Sequence, residues 1–215
     1  MSDGKLAWKL SRYYLAPPAR IATRARGYGL DRIPRSGGCV LAMNHLHWID
    51  IPLVGALSPR QINYVAKIEA LTFPGFGRYV AWHGTIGIHR GESDRDAVRR
   101  MREVARDGGA LGLFVEGTRQ HTGRPGEAQP GAAMVAIQEN VPVVPIGIYG
   151  TQFWKIGNFA PCSIAVGEPV CYEGLPRGGR GYKEATADLE RRLNGLFDWL
   201  EDVHRRGRPR GLTPP

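Results

Sequence analysis

Six short apolar runs, Cys39–Met43, Ile62–Ala66, Thr85–Ile88, Leu111–Val115, Val143–Tyr149 and Ser163–Val166, alternate with stretches of helical periodicity. That alternation specifies an α/β layer fold, because strands apolar along their whole length need helices over both faces. Helices are read in four places. Ser93, followed by Asp94 and Asp96, caps a start; Met101, Val104 and Ala105 share a face, and Gly108-Gly109 supplies the stop. Leu189, Leu193, Leu196, Phe197, Leu200 and Val203 mark the core-facing stripe of one long helix. Two more helices follow Asp50, with Pro52 tolerated in the first turn, and Gly131. At 215 residues, 42% hydrophobic and 23% charged, the chain suits one globular domain with a substantial core.

Charge and cysteine usage narrow the setting. The formal charge is +9, but residues 1–36 carry a net +6 and residues 205–215 a net +4, which leaves −1 for everything between. Nucleic-acid binding calls for a basic stripe and a reading element on the folded body, and here that body is close to neutral. Three cysteines, Cys39, Cys162 and Cys171, form no CxxC pair, so neither a disulfide framework nor a zinc knuckle is expected. The longest uncharged run, Asn140–Trp154, has 15 residues with two prolines and two glycines, short of the roughly 20 apolar residues of a membrane-spanning helix. The first 18 residues lack an apolar core and cleavage site of secretory type. A cytoplasmic protein is the expectation.

The leading segment carries more than charge. In a helix over residues 5–16, Leu6, Leu10, Tyr13 and Tyr14 recur at helical spacing, with Lys5, Lys9 and Arg12 on the remaining surface and Trp8 nearby. Pro17 and Pro18 are expected to end it. Such a helix suits an anionic membrane interface, and it equally suits packing of its stripe on the domain.

The densest chemical cluster is NHLHWID, residues 44–50, directly after the first strand. His45 and Asp50 would point roughly 140° apart on one regular helix. They meet only if His45 precedes the helix and Asp50 lies in its first turn. Asp50 would then fix the imidazole tautomer and leave the other ring nitrogen as a general base. A metal site using His45, His47 and Asp50 is the competing reading, weakened because no remaining histidine pair repeats a ligand spacing. Further on, FVEGTRQ at 114–120 offers an anion site. Arg119 can take a phosphate bidentately, Gly117 lets the backbone approach and Thr118 adds a hydroxyl. Arg90 and Lys67 end or follow strands in the same way and would add cations to that rim.

The order and spacing of NH-x4-D at 44–50, GTIGIHR at 84–90, FVEGTR at 114–119 and VPVVPIG at 141–147 resembles the four-motif pattern of the glycerolipid acyltransferases, specifically the bacterial 1-acyl-glycerol-3-phosphate acyltransferases. The resemblance covers roughly residues 30–205. It implies a glycerol-3-phosphate acyltransferase-like single α/β domain whose mixed, mostly parallel central sheet is flanked by helices. It implies His45 as base, Asp50 as its orienter, and Gly84, Arg90, Glu116, Gly117, Thr118 and Arg119 as residues binding the acceptor phosphate. Lys67, in VAKIEAL, is added from a similar Ala-Lys-Glu-Leu stretch. The implied donor is acyl-CoA or acyl carrier protein and the acceptor a lysophospholipid, with no cofactor, no metal and no nucleic acid. Peripheral attachment to the inner face of the cell membrane goes with these substrates. Departures from the pattern are Val115 for Pro, Gln120 for Ser, Gly87 for a bulky apolar residue, and no Lys near Gln129. The expected organisation is a basic docking segment at 1–29, the acyltransferase domain at 30–205 and a flexible basic tail at 206–215.

Overall fold

The computed structural model describes residues 2–72, 76–88 and 94–215. Two short helices, α1 (Ser2–Tyr14) and α2 (Ala16–Ala22), precede β1 (Arg26–Tyr28) and β2 (Cys39–Met43). Then come α3 (Asp50–Leu57), β3 (Ile62–Lys67), α4 (Ile68–Thr72), α5 (Phe76–Trp82) and β4 (Ile86–Ile88). The second half runs α6 (Arg95–Arg106), β5 (Ala110–Phe114), α7 (Gly131–Glu139), β6 (Val143–Tyr149), β7 (Ser163–Val166) and α8 (Gly179–Arg205).

The described strands form one sheet in the order β1-β7-β6-β2-β5-β3-β4. All neighbours are parallel except β6 and β7, so β1 and β7 run against the other five. β2 and β6 are buried at every residue, as strands covered on both faces must be. Their side chains alternate between two cores. Cys39, Leu41 and Met43 pack with Leu53, Val54 and Leu57 of α3. Val40 and Ala42 face the other way, toward Met101 of α6, Val135 of α7 and Leu189 and Leu193 of α8. Farther along α8, Leu196, Phe197, Leu200 and Val203 cover Tyr28, Tyr149 and Ala165, so the expected stripe is buried over its full length.

Several local expectations need correction. Pro17 and Pro18 do not only stop a helix; they occupy the first turn of α2, where a missing N–H leaves no bond unmade. Strand β1 and helices α2, α4 and α5 are too short to show a period in the sequence. The cap of α6 is Asp94, whose carboxylate accepts the Ala97 N–H at 2.8 Å; Ser93 lies outside the described residues. α1 packs through Ala7, which is fully buried, and through Arg12, which donates to the Ser58 carbonyl, while Leu6, Leu10, Tyr13 and Tyr14 stay exposed.

The stretch 206–215, expected to be a flexible tail, is laid back along β1. Gly207 and Arg208 adopt left-handed φ angles of 77° and 61°, which reverse the chain after α8. Arg208 is buried and donates from Nη2 to the carbonyls of Arg24 (2.6 Å) and Cys162 (3.1 Å), while Tyr28 donates to the Pro209 carbonyl. A buried carbonyl stripped of its donor costs about 1–3 kcal/mol. Arg208→Ala should therefore lower the unfolding free energy by about that much, whereas Arg210→Ala, on the exposed side of the same stretch, should stay within about 0.5 kcal/mol of wild type in a urea titration.

Candidate active site

The carboxyl ends of β2, β5 and β6 lie side by side, with Met43 opposite both Phe114 and Ile146. Residues that leave these strands therefore converge, as open α/β sheets generally arrange at that edge. Asn44, fully buried, continues the β2–β6 ladder with its side chain: Nδ2 donates to the Ile148 carbonyl at 3.0 Å and Oδ1 accepts the Ile148 N–H at 2.7 Å. The next residue is thereby fixed in place. His45 donates its backbone N–H to Glu116 Oε2 at 2.7 Å, and its carbonyl accepts the Gln120 N–H at 2.8 Å.

The ring of His45 is held from two sides. Phe114 stacks on it with centroids 3.9 Å apart and planes 23° from parallel. Its Nδ1 lies 2.8 Å from Oδ2 of Asp50, which is fully buried and opens α3. The same oxygen also accepts the N–H groups of Leu46 and His47, each at 2.8 Å. An oxygen already accepting from two amides is an acceptor to the third neighbour too, so Nδ1 carries a proton and, in the neutral imidazole, Nε2 keeps its lone pair. Nε2 has no hydrogen-bond partner among the described residues. His45 thus precedes the helix and Asp50 begins it, the one arrangement in which residues five apart can meet.

Glu116 is buried and its carboxyl is engaged by backbone amides of the protein itself. Its two oxygens accept the N–H groups of His45 and Gly126 (3.1 Å), tying the β2 loop to the loop after β5. Burial pushes its carboxyl up to about 7, against the pull of those two amides. Gly117, at φ 70°, makes the turn that a Cβ would strain, and after it Thr118 and Arg119 stand exposed. Arg119 forms no ion pair among the described residues. Lys67, exposed at the carboxyl end of β3, belongs to the same edge.

Gly84 does not. It precedes β4 at the level of Asn63, hence of Val40, five residues or about 16 Å back along the strand direction from His45, and three strands to the side. Its φ of 79°, with Asn63 Oδ1 2.5 Å from where a Cβ would stand, makes it a turn residue. Arg90 lies outside the described residues. His47 packs between Trp48 and Trp154, and burial lowers its pKa from 6.5, leaving a neutral ring at pH 7. With Oδ2 of Asp50 taken by His45 and two amides, His45, His47 and Asp50 do not converge as metal ligands. Among the described residues no group of three His, Cys, Asp or Glu side chains does.

Asn44, Phe114 and Gln120 are the site residues that sequence reasoning left without a role. Each lies within or beside a motif already singled out, but each acts through a strand register that no spacing reveals.

Residues 24–149 match the family described as Acyltransferase, and the chain belongs to that family. The chloroplastic 1-acyl-sn-glycerol-3-phosphate acyltransferase BAT2 of Brassica napus is 32% identical over 126 residues, a match spanning 57% of this chain and 36% of that protein. The 1-acyl-sn-glycerol-3-phosphate acyltransferase of Bacillus subtilis is 25% identical over 81% of this chain and 87% of its own length. The lyso-ornithine lipid O-acyltransferase of Brucella abortus is 31% identical over 81% of this chain and 69% of its own. The crystal structure of the 1-acyl-sn-glycerophosphate acyltransferase PlsC from Thermotoga maritima shares the fold, with a TM-score of 0.68 over 91% of this chain and 82% of that one at 21% identity.

The position of Glu116 makes a prediction about stability. Its folded pKa, about 7, lies above the unfolded carboxylate value of 4.5. The folded state therefore holds the proton more tightly, and the stability this group contributes is fully present below pH 4.5 and is lost as pH rises through 7. Glu116→Gln removes that titration. The wild-type advantage over the variant in urea should be largest near pH 4.5 and shrink toward pH 8; a difference independent of pH would contradict the assignment.

Proposed function

We propose that this protein is an O-acyltransferase that moves a fatty acyl group from acyl-CoA or acyl carrier protein to the free hydroxyl of 1-acyl-glycerol-3-phosphate, giving phosphatidic acid. The observation that carries the reading is the His45–Asp50 contact, which leaves Nε2 open at the edge of the sheet where ligands of this fold class bind. Nε2 takes the hydroxyl proton while the hydroxyl oxygen bonds to the thioester carbonyl carbon. The tetrahedral adduct then expels the thiolate, which recovers the proton from the imidazolium; an ester and a free thiol leave. Asp50 stabilises the charge on His45 between those two transfers. No acyl-enzyme is required, because hydroxyl and thioester react directly.

Arg119 and Lys67, exposed at the same edge and free of ion pairs among the described residues, suit the acceptor phosphate. Arg90 is assigned the same role on its place in the GTIGIHR motif alone. Glu116 and Gly117 serve this reading as supports of the loop that carries Arg119. The acceptor lives in a bilayer, and the exposed Leu6, Leu10, Tyr13 and Tyr14 on a basic segment of net +6 suit an anionic membrane surface. None of the described helices is long and apolar enough to cross one. The resemblance to a lyso-ornithine lipid enzyme favours a second acceptor class, tested in the same assay.

The test is thiol release and lipid product from an acyl thioester with lysophosphatidic acid, beside lyso-ornithine lipid. General-base catalysis contributes about 10²- to 10⁴-fold. His45→Ala should lower turnover by at least the smaller of those factors, with Asp50→Asn intermediate. Equal thiol release by wild type and His45→Ala would sink the mechanism.

A further inference from the structure

Exposed large apolar side chains are not scattered over this molecule. Among the described residues there are eleven: six between Leu6 and Ile21, then Trp48, Trp82, Phe153, Ile156 and Phe159. Isolated exposed hydrophobics are ordinary on soluble proteins, but grouped ones mark a contact surface. Three of the eleven lie on one loop, Thr151–Pro161, which joins β6 to β7 beside the active site.

The loop is built to hold them out. Phe153, Ile156 and Phe159 are 60%, 86% and 48% exposed. The backbone beneath them is bracketed by one side chain: Asn158 Oδ1 accepts the N–H groups of Lys155 and Ala160, both at 3.0 Å, and Nδ2 donates to the Phe153 carbonyl at 2.9 Å. Phe159 itself sits at φ 48°, a conformation that Gly or Asn adopts readily and an aromatic residue rarely does. Backbone strain spent on presenting an apolar ring to solvent has no purpose in the isolated fold.

Trp154 connects this loop to the rest. Its buried ring meets Trp48 edge-on at 5.5 Å and His47 at 5.8 Å, and its Nε1–H donates to the Ala22 carbonyl at the end of α2. The loop is thus joined to the end of α2 on one side and to the His45–Asp50 loop on the other. Its charge matches that neighbour: from Gly150 to Gly167 the sole ionisable side chains of either sign are Lys155 and Cys162, and no carboxylate is present.

We propose that the Thr151–Pro161 loop is a second bilayer-contacting element, which sinks Phe153, Ile156 and Phe159 to the acyl boundary of an anionic membrane while Lys155 meets the headgroups. Aromatic and aliphatic tips flanked by a cation are what that interface selects. Continuity with the end of α2, in the basic leading segment, and the absence of acid favour a lipid surface over a second copy of the chain. With the loop seated, the His45–Asp50 loop that Trp154 packs against through His47 and Trp48 is held close to the headgroups. The proposal takes the membrane setting from the functional reading above, but its test does not depend on turnover.

The test uses the full chain with vesicles of phosphatidylcholine containing phosphatidylglycerol, and compares wild type, Ile156→Glu with Phe159→Asn, and Leu10→Glu with Tyr13→Glu. Co-sedimentation should fall at least tenfold in both double variants. Phe159→Asn alone should melt no lower than wild type, since Asn accepts the left-handed φ, and should still bind vesicles more weakly. On a soluble short-chain thioester and acceptor the loop variants should turn over within twofold of wild type. Unchanged vesicle binding by Ile156→Glu with Phe159→Asn would overturn the proposal, as would conversion of a wild-type dimer to monomer by those substitutions. Weakened vesicle binding by a protein that turns over no thioester would refute the acyltransferase reading and leave the loop assignment standing.

Discussion

Oδ2 of Asp50 accepts three hydrogen bonds in a place closed to water, from the amides of Leu46 and His47 and from the ring of His45. The two amides shape the tight turn between β2 and α3, and the ring nitrogen orients the base. The carboxylate thus sits where the turn ends and the helix begins, within reach of both. One side chain therefore couples the local fold to the chemistry. Its loss would loosen the turn and free the imidazole together.

Around that oxygen the protein builds braces that are not themselves reactive. Asn44 extends the β2–β6 ladder by one side chain, and Glu116 spans from the His45 amide to Gly126. Phe114 closes the ring's face. The cost of this rigidity is visible in Glu116, whose burial raises its pKa to about 7. Such strain is affordable because the two buried cores on either side of β2 hold the strands that carry these groups.

The α/β class and six of the seven described strands were legible because apolar runs such as Val143–Tyr149 are continuous, and the α8 stripe because it repeats over four turns. His45 and Asp50 were legible as a pair because only one local geometry lets them meet. Other features depend on contacts between distant segments, which spacing does not encode. Gly84 looked like a phosphate-binding glycine until the parallel register put it at the far end of β4. Glu116 sits in a motif that suggests anion binding, yet its environment is set by the β2 loop, 71 residues away in sequence. The basic C-terminal stretch reads as a solvated tail, and two left-handed residues fold it back onto β1 instead.

The tautomer of His45 decides whether a base faces the substrate. Long-range nitrogen–proton correlation spectra of the 15N-labelled protein, recorded with the imidazole neutral, would assign it directly. The contact with Asp50 should give a protonated Nδ1 with a downfield proton that moves in Asp50→Asn, and a bare Nε2. A neutral His45 protonated on Nε2 would contradict it, because no base would then face the substrate.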